Sequence, residues 1–178
     1  MGQLQYTRAK IMSLSLVRVD DRLIHGQVLL MWTKVRLGDA IILLVDDKLA
    51  NDQFLKTVFI NAGNGLGKKV YIFTVDEAVE KIPKALNGKK NYYLISKKIE
   101  QLYELKKRGV DFGDEIIFGT ASKAEGTEKV YNNIYLSPRD IEYCDFLEAK
   151  GIKILFKLIP DEKGLTLSDV KTNYNGGK

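Results

Sequence analysis

The chain has few of the residues that bind metals or form covalent cross-links. Among its 178 residues there is one cysteine, Cys144, and one histidine, His25. One cysteine cannot form a disulfide within the chain, and a zinc site would have to be built largely from scattered carboxylates. We therefore expect no metal and no other cofactor, and we interpret Cys144 as a core or half-buried helix residue.

Long apolar segments are also missing. No run approaches the roughly 20 apolar residues that a membrane-spanning helix requires, and the N-terminus lacks the pattern of a secretory signal. Apolar residues nevertheless make up 45% of the chain, which is enough for a core of ordinary size. We therefore expect a cytoplasmic protein.

The net charge of +5 raises the possibility of a nucleic-acid partner. The lysines are dispersed, however, in pairs such as Lys68-Lys69, Lys89-Lys90 and Lys97-Lys98. No basic run carries aromatic residues at the spacing of an RNA-binding sheet. We predict no nucleic-acid binding, while a mild positive field would suit an acidic or phosphate-bearing partner.

Strand-like and helix-like patterns alternate along the chain. Residues 13–19 have apolar residues at period two, residues 26–34 have them at helical spacing, and residues 40–45 form a continuous apolar run. Further strands are predicted over residues 70–73, 91–95, 115–118, 133–136 and 152–159, and further helices over residues 49–61, 76–86, 97–108 and 138–150. Thr74, Ser96 and Ser137 are candidate N-caps of the last three helices.

This alternation predicts an α/β fold: a single domain with a mostly parallel central sheet and helices on both faces. The domain covers residues 12–165. Residues 1–11 look like a flexible N-terminal extension, and residues 166–178 look like a C-terminal tail. Beyond Pro160 the chain is polar, and only residues 165–170 have an apolar pattern.

The loop after the first strand carries an unusual concentration of reactive groups, including the histidine. Ligands of such sheets bind beyond the carboxyl ends of the strands, where this loop lies. Neutral imidazole is nucleophilic and titrates at about pH 6.5, so His25 could accept and return a phosphoryl group. The free amides of Gly26 and Gln27 at the start of the next helix could bind phosphate, and Gly26 leaves room for it. Arg22 and Arg18 are candidate phosphate ligands.

Two acids in the same loop, Asp20 and Asp21, repel phosphate and are better explained as residues that orient the loop. One could pair with Arg18 or Arg22, and one could accept hydrogen bonds from loop amides. Either could also orient the imidazole through its second nitrogen.

Other segments are weaker candidates. Residues 63–69 are rich in glycine, but the predicted order of helix, glycines and strand indicates a helix end and a turn rather than a phosphate loop. Asp46 ends a predicted strand and could approach the crevice of His25. Gly119 and Thr120 also follow a strand, and they could form the far wall of the site or a plain turn.

The loop sequence identifies a family. The segment LVRVDDRLIHGQV over residues 16–28, followed by Trp32-Thr33, closely resembles the active-site signature of the IIB component of the mannose/fructose/sorbose family of the bacterial phosphotransferase system. The resemblance continues through residues 45–52 and 147–151, and it covers nearly the whole chain from about residue 14 to 160.

The resemblance implies a phosphocarrier, a protein-N(π)-phosphohistidine–sugar phosphotransferase. His25 matches the phosphorylated histidine, with the δ nitrogen as the bonded atom, and Arg22 matches the arginine of onward transfer. The donor would be the IIA protein. The acceptor would be a hexose (mannose, fructose, sorbose or a related amino sugar) imported through the membrane components IIC and IID, with which the protein would associate peripherally.

One departure from the family pattern lies at residues 118–120, where many members carry a Gly–Gly–Met or Gly–Asn–Met-like turn and this chain has Phe118-Gly119-Thr120. This departure bears on the far wall of the site and on the choice of partner or sugar. Another function remains open from sequence: a regulatory paralogue that senses phosphorylation without delivering sugar.

Overall fold

The histidine loop extends from a strand at the middle of a parallel sheet. The computed structural model of the protein describes residues 14–174. The predicted extension over residues 1–11 lies outside the described residues, as do residues 175–178 of the predicted tail. Within the described range, the strands and helices follow the chain order β1 Leu14–Asp20, α1 Gly26–Thr33, β2 Ala40–Leu44, α2 Asp47–Ala50, α3 Gln53–Gly65, β3 Lys69–Phe73, α4 Val75–Leu86, β4 Tyr92–Ser96, α5 Ile99–Lys107, β5 Glu115–Thr120, β6 Glu128–Tyr131, β7 Ile134–Leu136, α6 Pro138–Ala149, β8 Lys153–Phe156, β9 Leu165–Thr166 and α7 Leu167–Asn173.

The main sheet has the strand order β3-β2-β4-β1-β5-β8-β9. All its neighbouring pairs are parallel except β8 and β9. The strands β6 and β7 form a separate antiparallel hairpin. This architecture confirms the predicted α/β class and the mostly parallel sheet.

Helices cover both faces of the sheet, as predicted. In β2, Ile42 and Leu44 belong to one buried cluster while Ile41 and Leu43 belong to the other, because successive side chains of a strand point to opposite faces. The first cluster contains residues of α4, α5, α6 and α7, and the second contains residues of α1 and α2 with α3 packed against it.

The register of β1 places its carboxyl end between two other strand ends. Val19 lies opposite Ser96 of β4, and Asp20 lies opposite Thr120 of β5. The chain leaves β1 towards α1 on one face and leaves β4 towards α5 on the other face. A crevice therefore opens at this point, beyond the carboxyl ends of the strands.

Several local predictions are confirmed. Thr74 and Ser137 cap α4 and α6 with their side chains, and Cys144 is fully buried on α6. Burial raises the pKa of the Cys144 thiol. The glycine-rich segment over residues 63–69 contains the end of α3 and a turn with Gly67 at a φ of 66°, as predicted.

Other local predictions are wrong. Ser96 does not cap α5, which begins at Ile99; its hydroxyl lies 2.8 Å from Gln101 Oε1, which accepts the Lys98 amide. The helix predicted over residues 49–61 is two helices, because the Asp52 carboxylate accepts the Leu55 amide and starts α3. The strand β6 was not predicted.

The predicted tail over residues 166–178 is, in its described part, a packed helix. Thr166 caps α7 with its side chain. Leu167 and Val170 of this helix are fully buried in the larger core cluster. The domain therefore extends through α7, beyond the boundary predicted at residue 165.

Candidate functional site

The loop between β1 and α1 is held in an unusual backbone conformation. Leu23 has a φ of 58°, in the left-handed region that residues other than glycine rarely adopt. Its amide donates to the Asp20 carbonyl at 2.9 Å, and its side chain is buried in the cluster beneath α1. The burial of Leu23 therefore helps to hold the sharp turn that leads to His25.

Asp20 is the centre of the hydrogen bonds that fix this loop. Its Oδ2 accepts from Arg18 Nε at 3.2 Å and from Arg18 Nη2 at 3.0 Å. Its Oδ1 accepts from the Arg22 amide at 3.1 Å and lies 2.7 Å from the Thr120 hydroxyl. Asp20 thus pairs with Arg18 and binds a loop amide, which were two of the roles expected for the acids.

Asp21 fastens the same loop to the segment after β5. Its carboxylate lies 2.6 Å from the Thr120 hydroxyl and accepts the Ser122 amide at 2.7 Å. Burial alone would raise the pKa of Asp21, but the hydrogen bonds from Ser122 and Thr120 outweigh it and lower the pKa. Asp21 is therefore held as a carboxylate.

Arg18 does not have the position expected of a phosphate ligand. Its side chain is only 2% exposed, it is paired with Asp20, and its guanidinium lies 5.8 Å from the centre of the Trp32 ring. Burial lowers the pKa of this guanidinium, and the charge of Asp20 opposes that effect. A Cβ atom at Gly119 would overlap the guanidinium, so the glycine permits this close approach. We therefore correct the expectation that Arg18 binds phosphate: its buried guanidinium pairs with Asp20 and so helps to hold the loop in place.

His25 lies at the N-cap position of α1 and is half-buried. Its side chain does not cap the helix. Within residues 14–174, only His25 Nδ1 and Arg18 Nη1 are buried side-chain polar atoms without a hydrogen-bond partner. Both residues line one narrow crevice with Leu23, Val28 and Ile95. The carboxylates of Asp20 and Asp21 bond Arg18, the Arg22 amide, Thr120 and the Ser122 amide, and neither bonds a nitrogen of the imidazole, so the expected orientation of the ring by an acid is not realised.

The start of α1 offers free donors next to His25. The Leu29 amide is the first to bond within the helix, to the His25 carbonyl at 2.9 Å, so the amides of Gly26, Gln27 and Val28 have no acceptor within it. Gly26 and Gln27 are exposed, and apart from the adjoining residues and the backbone of α1 no atom lies within 4 Å of the position of a Cβ at Gly26. The imidazole therefore lies beside free N–H groups that carry partial positive charge and beside space that a ligand could occupy.

Asp46 does not share the crevice of His25. Its side chain accepts the Leu49 amide at 2.9 Å and lies 3.6 Å from Lys97 Nζ. That amide hydrogen bond lowers the pKa of Asp46. Asp46 and Asp47 line a different pocket, of about 380 Å³, at the ends of β2, β3 and β4. Asp46 is therefore a helix cap rather than the predicted far wall.

Thr120, predicted as a far-wall residue, lines a pocket together with residues that the sequence did not single out. A pocket of about 180 Å³ is lined by Arg22, Thr120, Ser122, Lys123, Asn133 and Tyr135. Asn133 and Tyr135 belong to the β6–β7 hairpin region. The pattern of residues 133–136 indicated a strand, but it gave no sign that this strand would lie beside the histidine loop.

The described residues contain neither a helix long and apolar enough to cross a membrane nor a group of three or more His, Cys, Asp and Glu side chains that could hold a metal ion.

The fold and the site together define a class: a parallel α/β domain with a histidine at the start of the helix that follows its central strand. Residues 14–175 match the family described as PTS system sorbose subfamily IIB component, and the chain belongs to this family.

Relatives of known name support the same assignment. The chain is 31% identical over 150 residues to the sorbose-specific EIIB component of Lacticaseibacillus casei, covering 83% of this chain and 88% of that protein. It is 26% identical over 154 residues to an N-acetylgalactosamine-specific phosphotransferase enzyme IIB component of Escherichia coli, covering 86% and 96%. The crystal structure of the IIBSor domain of the Klebsiella pneumoniae sorbose permease has the same fold, with a TM-score of 0.83, 24% identity and coverage of 91% and 98%.

Replacing Gly119 by alanine should lower the free energy of unfolding by about 1–3 kcal/mol, because the added methyl group displaces the buried Arg18 guanidinium. Urea unfolding followed by the fluorescence of Trp32, the only tryptophan, measures the change. Gly26→Ala is the matched control: its Cβ enters open space, so stability should stay level or rise by up to about 1 kcal/mol. A Gly119→Ala protein as stable as the parent would contradict the role given to this glycine.

Replacing Thr120 by valine keeps the shape but removes the hydroxyl that lies between Asp20 and Asp21. The free energy of unfolding should fall by about 1–3 kcal/mol, because buried carboxylate oxygens lose a donor. Thr120→Ser keeps the hydroxyl and should recover most of that loss. If calorimetry gave the valine and serine variants equal stability, the hydroxyl would have no role in fastening the loop.

Proposed function

We propose that the protein is a phosphocarrier in which His25 takes a phosphoryl group from a phosphorylated IIA protein and passes it to a sugar. The observation that carries the proposal is the position of the only histidine, half exposed at the N-cap of α1 beside free amides and open space. Imidazole is a nucleophile suited to reversible phosphoryl transfer, and a helix N-terminus favours the phosphate charge.

The first transfer would be an in-line displacement at phosphorus. An imidazole nitrogen of His25 forms a bond to phosphorus as the bond to the IIA histidine breaks. In the second transfer a sugar hydroxyl attacks the same phosphorus, the bond to His25 breaks, and the hydroxyl proton passes, directly or through solvent, to the imidazole that is released. Such transfers need positioning and charge stabilisation above all, which the fixed loop and Arg22 would supply.

Arg22 is the better candidate for charge stabilisation, since Arg18 is buried and paired with Asp20. The Arg22 side chain is exposed and lines the pocket beside Thr120. Its backbone is fixed by the hydrogen bond to Asp20, so its guanidinium extends from an anchored position. A guanidinium binds two phosphate oxygens at once, which suits the planar group in transfer.

The family resemblance implies that the δ nitrogen carries the phosphoryl group. Nδ1 is buried in this narrow crevice, so a phosphoryl donor cannot reach this nitrogen with the ring as it stands. A half-turn about the Cβ–Cγ bond would exchange the Nδ1 edge of the ring for the Cδ2 edge. We infer that His25 makes this turn before it accepts phosphate.

The proposed partners are the IIA protein as donor and the membrane components IIC and IID, with which the protein associates peripherally from the cytoplasm. The acceptor is a hexose or a related amino sugar. The names of the relatives cite different sugars, sorbose and N-acetylgalactosamine, so the choice among sugars does not carry over to this chain.

Replacing His25 by alanine should abolish uptake of label from ³²P-labelled IIA protein, because the chain has no other histidine. The parent should take up label that is lost in acid and stable in base. Circular dichroism and unfolding of the variant should match the parent, which separates lost chemistry from lost fold. Label that persists on the alanine variant would refute the assignment.

NMR of the ¹⁵N-labelled phosphoprotein identifies the bonded nitrogen and tests the ring turn. Coupling of phosphorus to Nδ1 is the expected result. A bond to Nε2 would contradict the turn while leaving the carrier role of His25 intact.

Replacing Arg22 by alanine should leave phosphorylation of His25 possible but slow delivery to sugar, by about 2–4 kcal/mol of transition-state stabilisation. The assay is sugar phosphate release in the presence of membranes with IIC and IID. Lys34→Ala, which removes an exposed cation beyond the other end of α1, is the control and should transfer normally. Unimpaired sugar transfer by Arg22→Ala would contradict the role of Arg22 in delivery to sugar. Label uptake by the parent protein without release of any sugar phosphate would favour the regulatory alternative.

A further inference from the structure

The pocket beside Arg22 is built by three segments that hydrogen bonds connect: the histidine loop, the segment after β5 and the β6–β7 hairpin region. The segment after β5 is tied to the β6–β7 hairpin region by hydrogen bonds from the Ala121 amide to the Asn133 carbonyl at 3.1 Å and from the Tyr135 amide to the Ala121 carbonyl at 2.9 Å. The same segment is tied to the histidine loop, because Asp21 accepts the Ser122 amide. These hydrogen bonds connect the backbone near Arg22 to the backbone of Tyr135.

The lining of this pocket consists of cations and neutral polar groups. Arg22 and Lys123 provide two positive charges, while Ser122, Asn133 and Tyr135 provide hydroxyl and amide donors. None of the lining residues is a carboxylate. Among the described residues, no carboxylate forms an ion pair within 4 Å of either cation. Asp21 does not line the pocket; it acts on Arg22 through its charge, and its oxygens are engaged by Thr120 and Ser122.

The size of the pocket favours a compact group. Its volume of about 180 Å³ is below the roughly 300–1,000 Å³ of pockets that hold whole small molecules. A guanidinium, an ammonium and hydroxyl donors that converge on a small space are the groups that bind phosphate oxygens.

We propose that the pocket lined by Arg22, Ser122, Lys123, Asn133 and Tyr135 is a phosphate subsite, in which Lys123 and the hairpin region supply the half of the site that the histidine loop lacks. This inference rests on the proposed function, since phosphate reaches the pocket either on His25 or on the departing sugar phosphate. Lys123 would add a second charge to that of Arg22, and the donors of Ser122, Asn133 and Tyr135 would orient the oxygens.

The first experiment uses inorganic phosphate as the probe on the unphosphorylated protein. Chemical shifts of the Ser122 and Asn133 amides are followed in an NMR titration at constant ionic strength, so the result does not depend on whether His25 is ever phosphorylated. We expect saturable shifts in the parent and at least threefold weaker binding for Lys123→Met and Tyr135→Phe. Lys129→Met is the matched control, because Lys129 is exposed on the same hairpin, opposite Tyr135, but does not line the pocket.

The second experiment distinguishes the two sources of phosphate. The ³¹P signal of the phosphorylated protein is followed as a function of pH. Nearby cations stabilise the doubly charged form of the phosphoryl group. The group should therefore lose its last proton at lower pH in the parent than in Lys123→Met. Such a difference assigns the pocket to the phosphoryl group on His25. Weakened binding of free phosphate with an unchanged ³¹P titration assigns it to the phosphate of the departing product.

Two outcomes would overturn the proposal. One is an absence of saturable shifts in the parent together with a ³¹P titration that Lys123→Met does not change. The other is phosphate binding that Lys123→Met leaves as tight as in the parent, again with an unchanged ³¹P titration. A parent protein that binds inorganic phosphate but takes no label from IIA would contradict the proposed carrier function and leave the subsite in place.

Discussion

The buried ion pair between Arg18 and Asp20 is the interaction on which the geometry of the histidine loop depends. Both side chains are 2% exposed, and their charged atoms are 3.0 Å apart at the carboxyl end of the central strand. Breaking such a pair by removing one partner costs about 3–5 kcal/mol, because the remaining charge stays buried without compensation. The pair gives little net stability relative to an apolar core, but it fixes one orientation of Asp20. That orientation decides where the Arg22 amide and the Thr120 hydroxyl can bind.

The same polar network makes the loop rigid enough to hold an unfavourable backbone. A residue in the left-handed backbone conformation costs roughly 1–2 kcal/mol. Leu23, two residues before the histidine, has this conformation. The burial of its side chain and the hydrogen bonds to Asp20 and Asp21 offset this cost. The loop then directs the chain sharply into α1, so that His25 stands at the helix start with its carbonyl already bonded to the Leu29 amide. Backbone strain of this kind is retained where the surrounding structure holds a group in place for function.

Sequence patterns predicted the fold class, the central strand and the helix after His25, because strands and helices impose periods that apolar residues reveal. Contacts distant in sequence left no such trace: the hairpin of β6 and β7 was not predicted, and neither was the position of Tyr135. The role of Arg18, however, was readable in principle. Arg18 and Asp20 are two positions apart on β1, and alternate residues of a strand share a face, so a strand that extends to Asp20 brings the two side chains together. The sequence analysis allowed one acid to pair with Arg18 or Arg22, but a predicted strand that ended at Val19 did not show that Asp20 is the acid and Arg18 its partner.

The two arginines of the loop differ in burial and pairing because they differ in backbone environment. Arg18 belongs to a strand at the centre of the sheet, where its guanidinium can only be buried, and it is therefore neutralised by Asp20 and covered by Gly119 and Trp32. Arg22 follows the end of that strand, so its amide is used by Asp20 while its side chain remains in solvent. One acid thus serves both residues: it compensates the charge of Arg18 and anchors the backbone of Arg22. Phosphate would meet the charge of Arg22 rather than that of Arg18, because Asp20 already compensates the charge of Arg18.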